Sequence, residues 1–413
     1  LNFSNPKQKN IHPYVILPKG HRFGGSVPGR ISTKMSETLR SQQMLAQSDI
    51  TQLTSEDKME IKFGNRTIGM NHPTYFIADI AANHDGDLER AKLLIRLAKE
   101  AGADAAKFQN FDAPKIVSDY GFSHMNAQVS HQATWKKSVV DVYRAASIPF
   151  EWSMTLTEEC QEMGIDYFSS PYDFAAIDFL DQYVPCYKAG SGEIDWIEAL
   201  ERMASKGKPF FVATGASTIG EVQRAVHAIL KINKQLVLMQ CNTNYTASPN
   251  NYDHLHVNVL KTYATMFPDV ILGLSDHTHA VAPVLAAVTL GARVIERHFT
   301  DSNDREGPDH KFAMDPDKWA HMVEETRILE RALGSSDKFI ADNEKDTAVV
   351  QRRCLRAARD IKAGEVFTRD MIDVLRPAAV GAIKPDQIQN VIGTKALHDF
   401  QYGQELRWTD LGA

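Results

Sequence analysis

Apolar residues in the middle of this chain fall into short runs of three to six, and each run breaks off into residues able to do chemistry. The runs are 75–80, leading to Asn83 and His84; 103–108, with Lys107 and then Gln109; 166–168, then Ser170; and 186–189, around Lys188. They continue with 209–213, then Thr214; 236–239, then Gln240 and Asn242; 270–274, then Ser275, Asp276 and His277; and 293–296, then His298. Helical stretches lie between them. Residues 87–101 keep Leu88, Ala91, Leu94, Ile95 and Ala98 on one face, with Asp87 suited to cap it. The stretches 218–230, 255–266, 281–290 and 315–333 repeat the scheme, and 117–153 is expected to hold two helices. Strand runs alternating with helices predict parallel strands joined by crossovers. Eight of them over about 260 residues predict an α/β fold, a closed (β/α)8 TIM barrel. All strand C-termini of such a barrel open on one face, so side chains far apart in sequence meet around one cavity.

Either side of the barrel the pattern changes. Residues 1–58 are rich in Ser, Gln, Lys and Gly with little periodicity and read as a flexible extension, Met59 being a candidate natural start. The barrel is expected over 59–334, its first residues forming a strand-turn lid, and a polar linker over 335–349. Residues 350–413, with short runs between Lys-Ala-Gly, Arg-Pro and Lys-Pro turns, predict a small, mostly irregular β module. At that size it is expected to lean on the barrel or on a partner subunit.

Composition removes several alternatives. A net charge of −6 gives no electrostatic reason to expect nucleic acid. No window approaches eighteen apolar residues and the first thirty lack the apolar core of a secretory signal, so no membrane is expected and the cytoplasm is the default compartment. Cys160, Cys186, Cys241 and Cys354 lack paired spacing and read as reduced, with no zinc framework.

The chemistry sits at the run ends. His277 and His298 come from consecutive strands about 4.8 Å apart, where two imidazoles can share one divalent ion and leave positions open to water and substrate oxygen. Histidines satisfied by hydrogen bonds are the alternative, but Asp276 and Glu296 nearby shift the balance toward a site. Lys107 and Lys188, with Ser170, Ser191, Thr214 and Ser275, suit a ligand bearing phosphate and carboxylate. Against that, Lys107 can pair with Glu296 or Asp79, and Lys188 can form a Schiff base. The glycines of Ala189-Gly-Ser-Gly-Glu193 let backbone approach a ligand closely. The segment Gln240-Cys-Asn-Thr-Asn-Tyr245 suits a sugar, or is simply an amide-rich turn, and the charged loop 301–309 ends in a Gly-Pro-Asp that can aim Asp309 inward.

Taken in order, Ile77-Ala-Asp-Ile-Ala-Ala-Asn-His-Asp-Gly86, Lys107-Phe-Gln109, Tyr187-Lys-Ala-Gly-Ser-Gly-Glu193, Gly273-Leu-Ser-Asp-His-Thr278 and Glu296-Arg-His-Phe-Thr-Asp301 resemble the sialic acid synthase family. The likeness runs from about residue 59 to the end. Residues 350–413, with Ala358-Arg-Asp-Ile-Lys-Ala-Gly-Glu365 and Leu375-Arg-Pro377, are similar to that family's antifreeze-like (SAF) domain. The resemblance implies condensation of phosphoenolpyruvate with an open-chain N-acylated amino sugar, giving a nine-carbon 2-keto acid and phosphate. It also implies a divalent ion on His277 and His298, Mn2+ being favoured and Mg2+ or Co2+ possible, which polarises the sugar aldehyde. By matching motif, Lys107, Ser170, Lys188, Ser191 and Ser275 would clasp phosphoenolpyruvate, and Gln109, Tyr245 and Asp309 the sugar. Asp85, Thr214 and Thr243 join the substrate-binding residues. Glu193, Lys107, Lys188 and His277 would act in catalysis. A domain-swapped homodimer would bring Arg376 to the partner's sugar. Gln240-Cys-Asn-Thr-Asn-Tyr245, Ala213 and Asp85 depart from the N-acetylneuraminate enzymes, and the first of these looks like the legionaminic acid branch, whose acceptor is 2,4-diacetamido-2,4,6-trideoxymannose. N-acetylmannosamine is the alternative acceptor, and a sugar-binding barrel without turnover the alternative of another class.

Overall fold

The computed structural model describes residues 59–63, 66–125, 132 and 135–413, so the extension expected over 1–58 lies outside the described residues. Eight parallel strands form the barrel: β1 (Tyr75–Asp79), β2 (Ala105–Asn110), β3 (Asp166–Pro171), β4 (Tyr187–Ala189), β5 (Phe210–Ala213), β6 (Leu236–Cys241), β7 (Ile271–Asp276) and β8 (Ala292–His298). Their hydrogen-bonded order is β3-β2-β1-β8-β7-β6-β5-β4, and β3 and β4, the two ends of that order, lie side by side to close the barrel. The strands read as unbroken apolar runs because the barrel interior covers one face and helices cover the other. Phe168 of β3 stacks on Phe211 of β5 across the interior, with ring centroids 5.9 Å apart.

The crossover helices are α1 (Leu88–Glu100), α2 (Trp152–Met163), α3 (Phe174–Leu180), α4 (Ile197–Ala204), α5 (Ile219–Ile232), α6 (Val259–Met266), α7 (Ala282–Thr289) and α8 (Pro316–Leu333). Asp87 caps α1, accepting from the amides of Glu89 and Arg90. Thr218 and Glu221 form a reciprocal capping box on α5, a feature worth about 1 kcal/mol. Sequence periodicity passed over α2, α3 and α4. The first of these has only Ser153, Leu156 and Cys160 buried and the next is seven residues long, whereas α4 buries Ala199, Leu200, Met203 and Ala204 on one readable face. In 117–153 the described residues hold short helices at Asp119–Ser123 and Val139–Ala146 before α2 begins.

An antiparallel hairpin, Ile61–Phe63 with Arg66–Ile68, sits under the N-terminal ends of the strands. There Arg66 pairs with Asp104 just before β2 and with Asp166 at the start of β3. This floor leaves the opposite face of the barrel open.

Helix Lys345–Gln351 enters the stretch expected as a linker and is exposed or half-exposed throughout, burying nothing against the chain. The C-terminal residues form two small antiparallel pairs, Cys354–Ala357 with Ile372–Leu375 and Lys395–Ala396 with Leu411–Gly412. Expected to lean on the barrel or on a partner subunit, this module encloses within the chain a core of its own around Leu355, Ile361, Phe367, Phe400 and Leu406. Among the described residues no hydrogen bond or ion pair joins it to the barrel. All four cysteines are free and buried. No described helix is long and apolar enough to cross a membrane.

Candidate active site

Alternation along the strands decides which side chains face inward. On β8, Glu296 and His298 share the interior face and Arg297 between them points to the helix layer, while β7 continues the pattern with Ser275, Asp276 and His277. Register then makes neighbours. Glu296 stands beside Ser275, Arg297 beside Asp276, His298 beside Asp79, and Asp79 beside Lys107. Each adjacency becomes a contact. Lys107 Nζ lies 2.6 Å from Asp79 Oδ2, and Ser275 Oγ donates to Glu296 Oε1 over 3.2 Å. From across the barrel Lys188 Nζ reaches the same Glu296 oxygen at 2.9 Å, with Lys107 at 3.8 Å.

Two ammonium groups and two carboxylates are thus buried together with no net charge. Burial opposes the charge on Lys107, but Asp79 and Glu296 outweigh it and hold its pKa above the ordinary lysine value. Burial likewise opposes ionisation of Glu296, yet the two lysines keep its pKa below the usual range. The ion-paired alternative for Lys107 is therefore what the structure shows. A bound anion would share the lysines with these carboxylates.

The imidazoles of His277 and His298 face one another with centroids 5.3 Å apart, and Phe312 and Tyr245 pack against both rings. Nδ1 of His298 is buried without a hydrogen-bond partner. Burial, His277 and the two lysines push that ring's pKa well below the usual value, so it is neutral with a lone pair to give. Asp79 Oδ2 lies 3.6 Å from its Nε2 and Asp309 Oδ2 3.7 Å from its Nδ1. In His277, Nδ1 lies 3.0 Å from the Asn242 carbonyl, a contact that orients the ring. Burial would lower the pKa of His277, but the hydrogen-bonded Cys241 sulfur and that carbonyl raise it to about 8, so a cation arriving there displaces a proton. Among the described residues no third His, Cys, Asp or Glu completes a ready-made ligand set. Two opposed imidazoles, one with an orphaned nitrogen, fit a divalent ion whose other positions belong to water and substrate.

A cavity of about 450 Å3 opens above this cluster, within the range of small-molecule sites. Its lining brings together Lys107, Gln109, Ser170, Lys188, Ser191, Glu193, Thr243, Tyr245, Ser275, His277, His298 and Asp309. Ser170 Oγ is buried and unpartnered, and Ser191 Oγ accepts from the Gly215 amide at 2.9 Å and is hydrogen-bonded to the Cys241 sulfur. Burial raises the Glu193 carboxyl to about 7 despite Lys188. It likewise raises Asp309 to about 6 although the Ala82 amide donates to it.

Three residues expected at the site stand elsewhere. Asp85 is held by Arg90, at 3.0 Å, and by His310, at 2.9 Å. The Thr214 hydroxyl donates to the Met239 carbonyl and accepts from Tyr263, stapling β5 to β6. Arg376 lies in the C-terminal module, where its Nε donates to the Gln351 carbonyl. Conversely, sequence reasoning passed over Tyr172, Cys241 and an apolar wall from 111–146 that line the cavity. Tyr172 had a readable signal, since it lies two residues beyond Ser170 and so on the same face.

Comparison with known proteins places this constellation. Residues 94–338 match the NeuB family and 352–412 the SAF domain. The chain is 33% identical over 360 residues to the N,N'-diacetyllegionaminic acid synthase of Legionella pneumophila, an alignment covering 85% of this chain and 98% of that protein. It is 32% identical over 336 residues to the human N-acetylneuraminate-9-phosphate synthase, covering 80% and 91%. Among solved structures, the N-acetylneuraminic acid synthetase of Leptospira borgpetersenii in complex with citrate superposes with a TM-score of 0.62 at 27% identity, covering 70% of this chain and 95% of that one.

Proposed function

The chain belongs to the NeuB family of nonulosonic acid synthases and is a phosphoenolpyruvate-dependent condensing enzyme, and we propose that its acceptor is 2,4-diacetamido-2,4,6-trideoxymannose, giving N,N'-diacetyllegionaminate. The observation that carries the reading of the site is the convergence of Lys107, Lys188 and the unpartnered Ser170 hydroxyl beside the opposed His277 and His298 rings. Identity does not choose the acceptor, since relatives of two branches stand at 33% and 32%. The legionaminate reading rests instead on Gln240-Cys-Asn-Thr-Asn-Tyr245. N-acetylmannosamine is the second candidate.

In this account Lys107 and Lys188 neutralise the carboxylate and phosphate of phosphoenolpyruvate, while Ser170, Ser191 and Ser275 fix its oxygens. Gln109, Thr243, Tyr245 and Asp309 hold the open-chain sugar with its aldehyde toward the imidazoles. A divalent ion held by His277 and His298, Mn2+ in preference to Mg2+ or Co2+, supplies Lewis acidity to that aldehyde when bound. C3 of phosphoenolpyruvate forms a bond to the aldehyde carbon, water adds at C2, and the C2–O bond breaks as phosphate leaves. Glu193, whose carboxyl exchanges its proton near neutrality, serves proton transfer beside these carbons. The rigid barrel contributes orientation and fixed charge.

Arg376 lies outside the cavity of the single chain, and in this reading a homodimer brings each C-terminal module to its partner's site. Exposed Phe339, Ile340, Val350 and Val380 on and beside the connecting segment support the same arrangement. The test of the reading is phosphate release from phosphoenolpyruvate with and without each sugar and chelator. Release that depends on both sugar and ion is expected. Release without sugar, or none with any acceptor, contradicts it.

A further inference from the structure

The cavity has two unlike halves. Its floor carries the ion-paired lysines, the imidazoles and the four carboxyls of Asp79, Glu193, Glu296 and Asp309. Its outer wall comes from the connection between β2 and α2 and is mostly apolar, with Phe111, Ile116, Val117, Phe122, Val142 and Tyr143, while the Gln132 amide there is hydrogen-bonded to the Tyr143 hydroxyl. This wall is a built structure rather than a scatter of apolar residues. Val117 forms a cluster with Val139 and Val140, against which Ile116, Phe122 and Tyr143 pack, separate from the barrel core. Phe111 makes tilted and edge contacts with Tyr143 and Tyr172, ring centroids 5.7 Å apart in both cases, which ties the wall to the end of β3. Among the described lining residues there is no arginine, and both lysines are engaged by carboxylates on the floor.

We propose that this wall selects the acceptor, favouring an uncharged amino sugar whose end remote from the aldehyde is deoxygenated or N-acylated over one ending in a free hydroxyl or a phosphate. The inference rests on the synthase reading above, which sets the aldehyde at the imidazoles and leaves the rest of the sugar chain to run outward past the wall. A terminal hydroxyl pressed against valine, isoleucine and phenylalanine gives up water and finds no partner. Within the single chain a terminal phosphate fares worse, meeting an apolar face where it needs a cation. A methyl or acetamido group loses nothing there. An apolar surface discriminates against an added hydroxyl by about ten- to a hundredfold.

The experiment compares kcat/KM, by phosphate release with the full chain, phosphoenolpyruvate and Mn2+, for four sugars. These are N-acetylmannosamine, its 6-deoxy counterpart, its 6-phosphate and 2,4-diacetamido-2,4,6-trideoxymannose. The two 6-deoxy sugars are expected to exceed N-acetylmannosamine by about tenfold or more, with the 6-phosphate slowest. Val142→Thr, which is near-isosteric, and Ile116→Thr, which is one carbon shorter, each add a hydroxyl to the wall and are expected to shrink that ratio several-fold without moving KM for phosphoenolpyruvate. Equal or faster turnover of N-acetylmannosamine or its 6-phosphate, or a ratio that neither variant moves, overturns the proposal while leaving the synthase reading intact. Release with none of the four sugars overturns the synthase reading itself.

Discussion

At the scale of the residue, Glu193 is where pH acts most visibly. In the folded chain its carboxyl keeps a proton up to about 7, against an ordinary 4.5. Between those values the folded state binds a proton that the unfolded state does not, so stability falls as pH rises through that window. Glu193→Gln removes the slope. Relative to the parent, the variant is expected to gain stability from pH 5 to pH 8, by at most about 3 kcal/mol and by less where solvent reaches the carboxyl, in denaturant titrations at each pH. In the same variant the limb of kcat/KM near pH 7 should vanish. A second residue works through space rather than charge. A Cβ on Gly215 would stand 1.8 Å from Thr243 Oγ1 and 2.9 Å from Ser191 Oγ, so Gly215→Ala must displace both hydroxyls. It is expected to lower kcat/KM about tenfold or more, since small misplacements at a reacting centre are costly. Residues of this scale were legible in the sequence where a strand delivers them, because alternation alone sends Lys107, Lys188, Ser275, His277 and His298 inward. Asp85 and Thr214 misled for the opposite reason. Each sits beyond a strand end, where the local turn and the nearest partners, Arg90 and His310 for one and Met239 and Tyr263 for the other, decide where the side chain goes.

Between elements, the joint of β7 and β8 aims the imidazoles, and one guanidinium holds it. Arg297 and Asp276 are both almost wholly buried and ion-paired. Arg297 also donates to the Ala280 carbonyl at 2.7 Å, and Thr278 returns two hydrogen bonds to the Asp276 carboxylate. The turn carrying His277 is thereby tied to the strand carrying His298. Arg297→Met strands a buried carboxylate and is expected to cost about 3–5 kcal/mol in chemical denaturation. A loss near zero would mean that the pair is idle. Elements were read unevenly from sequence. Strands were clear because both faces are buried, whereas α2 and α3 each bury only three side chains, and α4 escaped although Ala199, Leu200, Met203 and Ala204 share one face. The wall at 111–146 escaped as well, since its aromatic residues have neither period and gain meaning only once Phe111 meets Tyr143 and Tyr172.

For the whole molecule, barrel and C-terminal module stand as separate cores, joined among the described residues by chain and not by hydrogen bonds or ion pairs. Deleting 350–413 is therefore expected to leave the barrel's thermal midpoint within a few degrees of the parent. Acceptor turnover should nevertheless fall at least tenfold, because Arg376 goes with the deleted part. Unchanged turnover would remove the module from the reaction. That two-part layout was visible as a change of pattern near residue 335, but that the module encloses its own core was not, since Leu355, Phe367 and Phe400 are too far apart in sequence to advertise a shared interior. The most direct measurement is mass spectrometry of the product formed by the full chain from phosphoenolpyruvate, Mn2+ and 2,4-diacetamido-2,4,6-trideoxymannose, with 18O in the bridging C2–O position. The account expects a nine-carbon 2-keto acid bearing both acetamido groups, with the label in the released phosphate. An unchanged sugar, or pyruvate as the only keto acid formed, would contradict it.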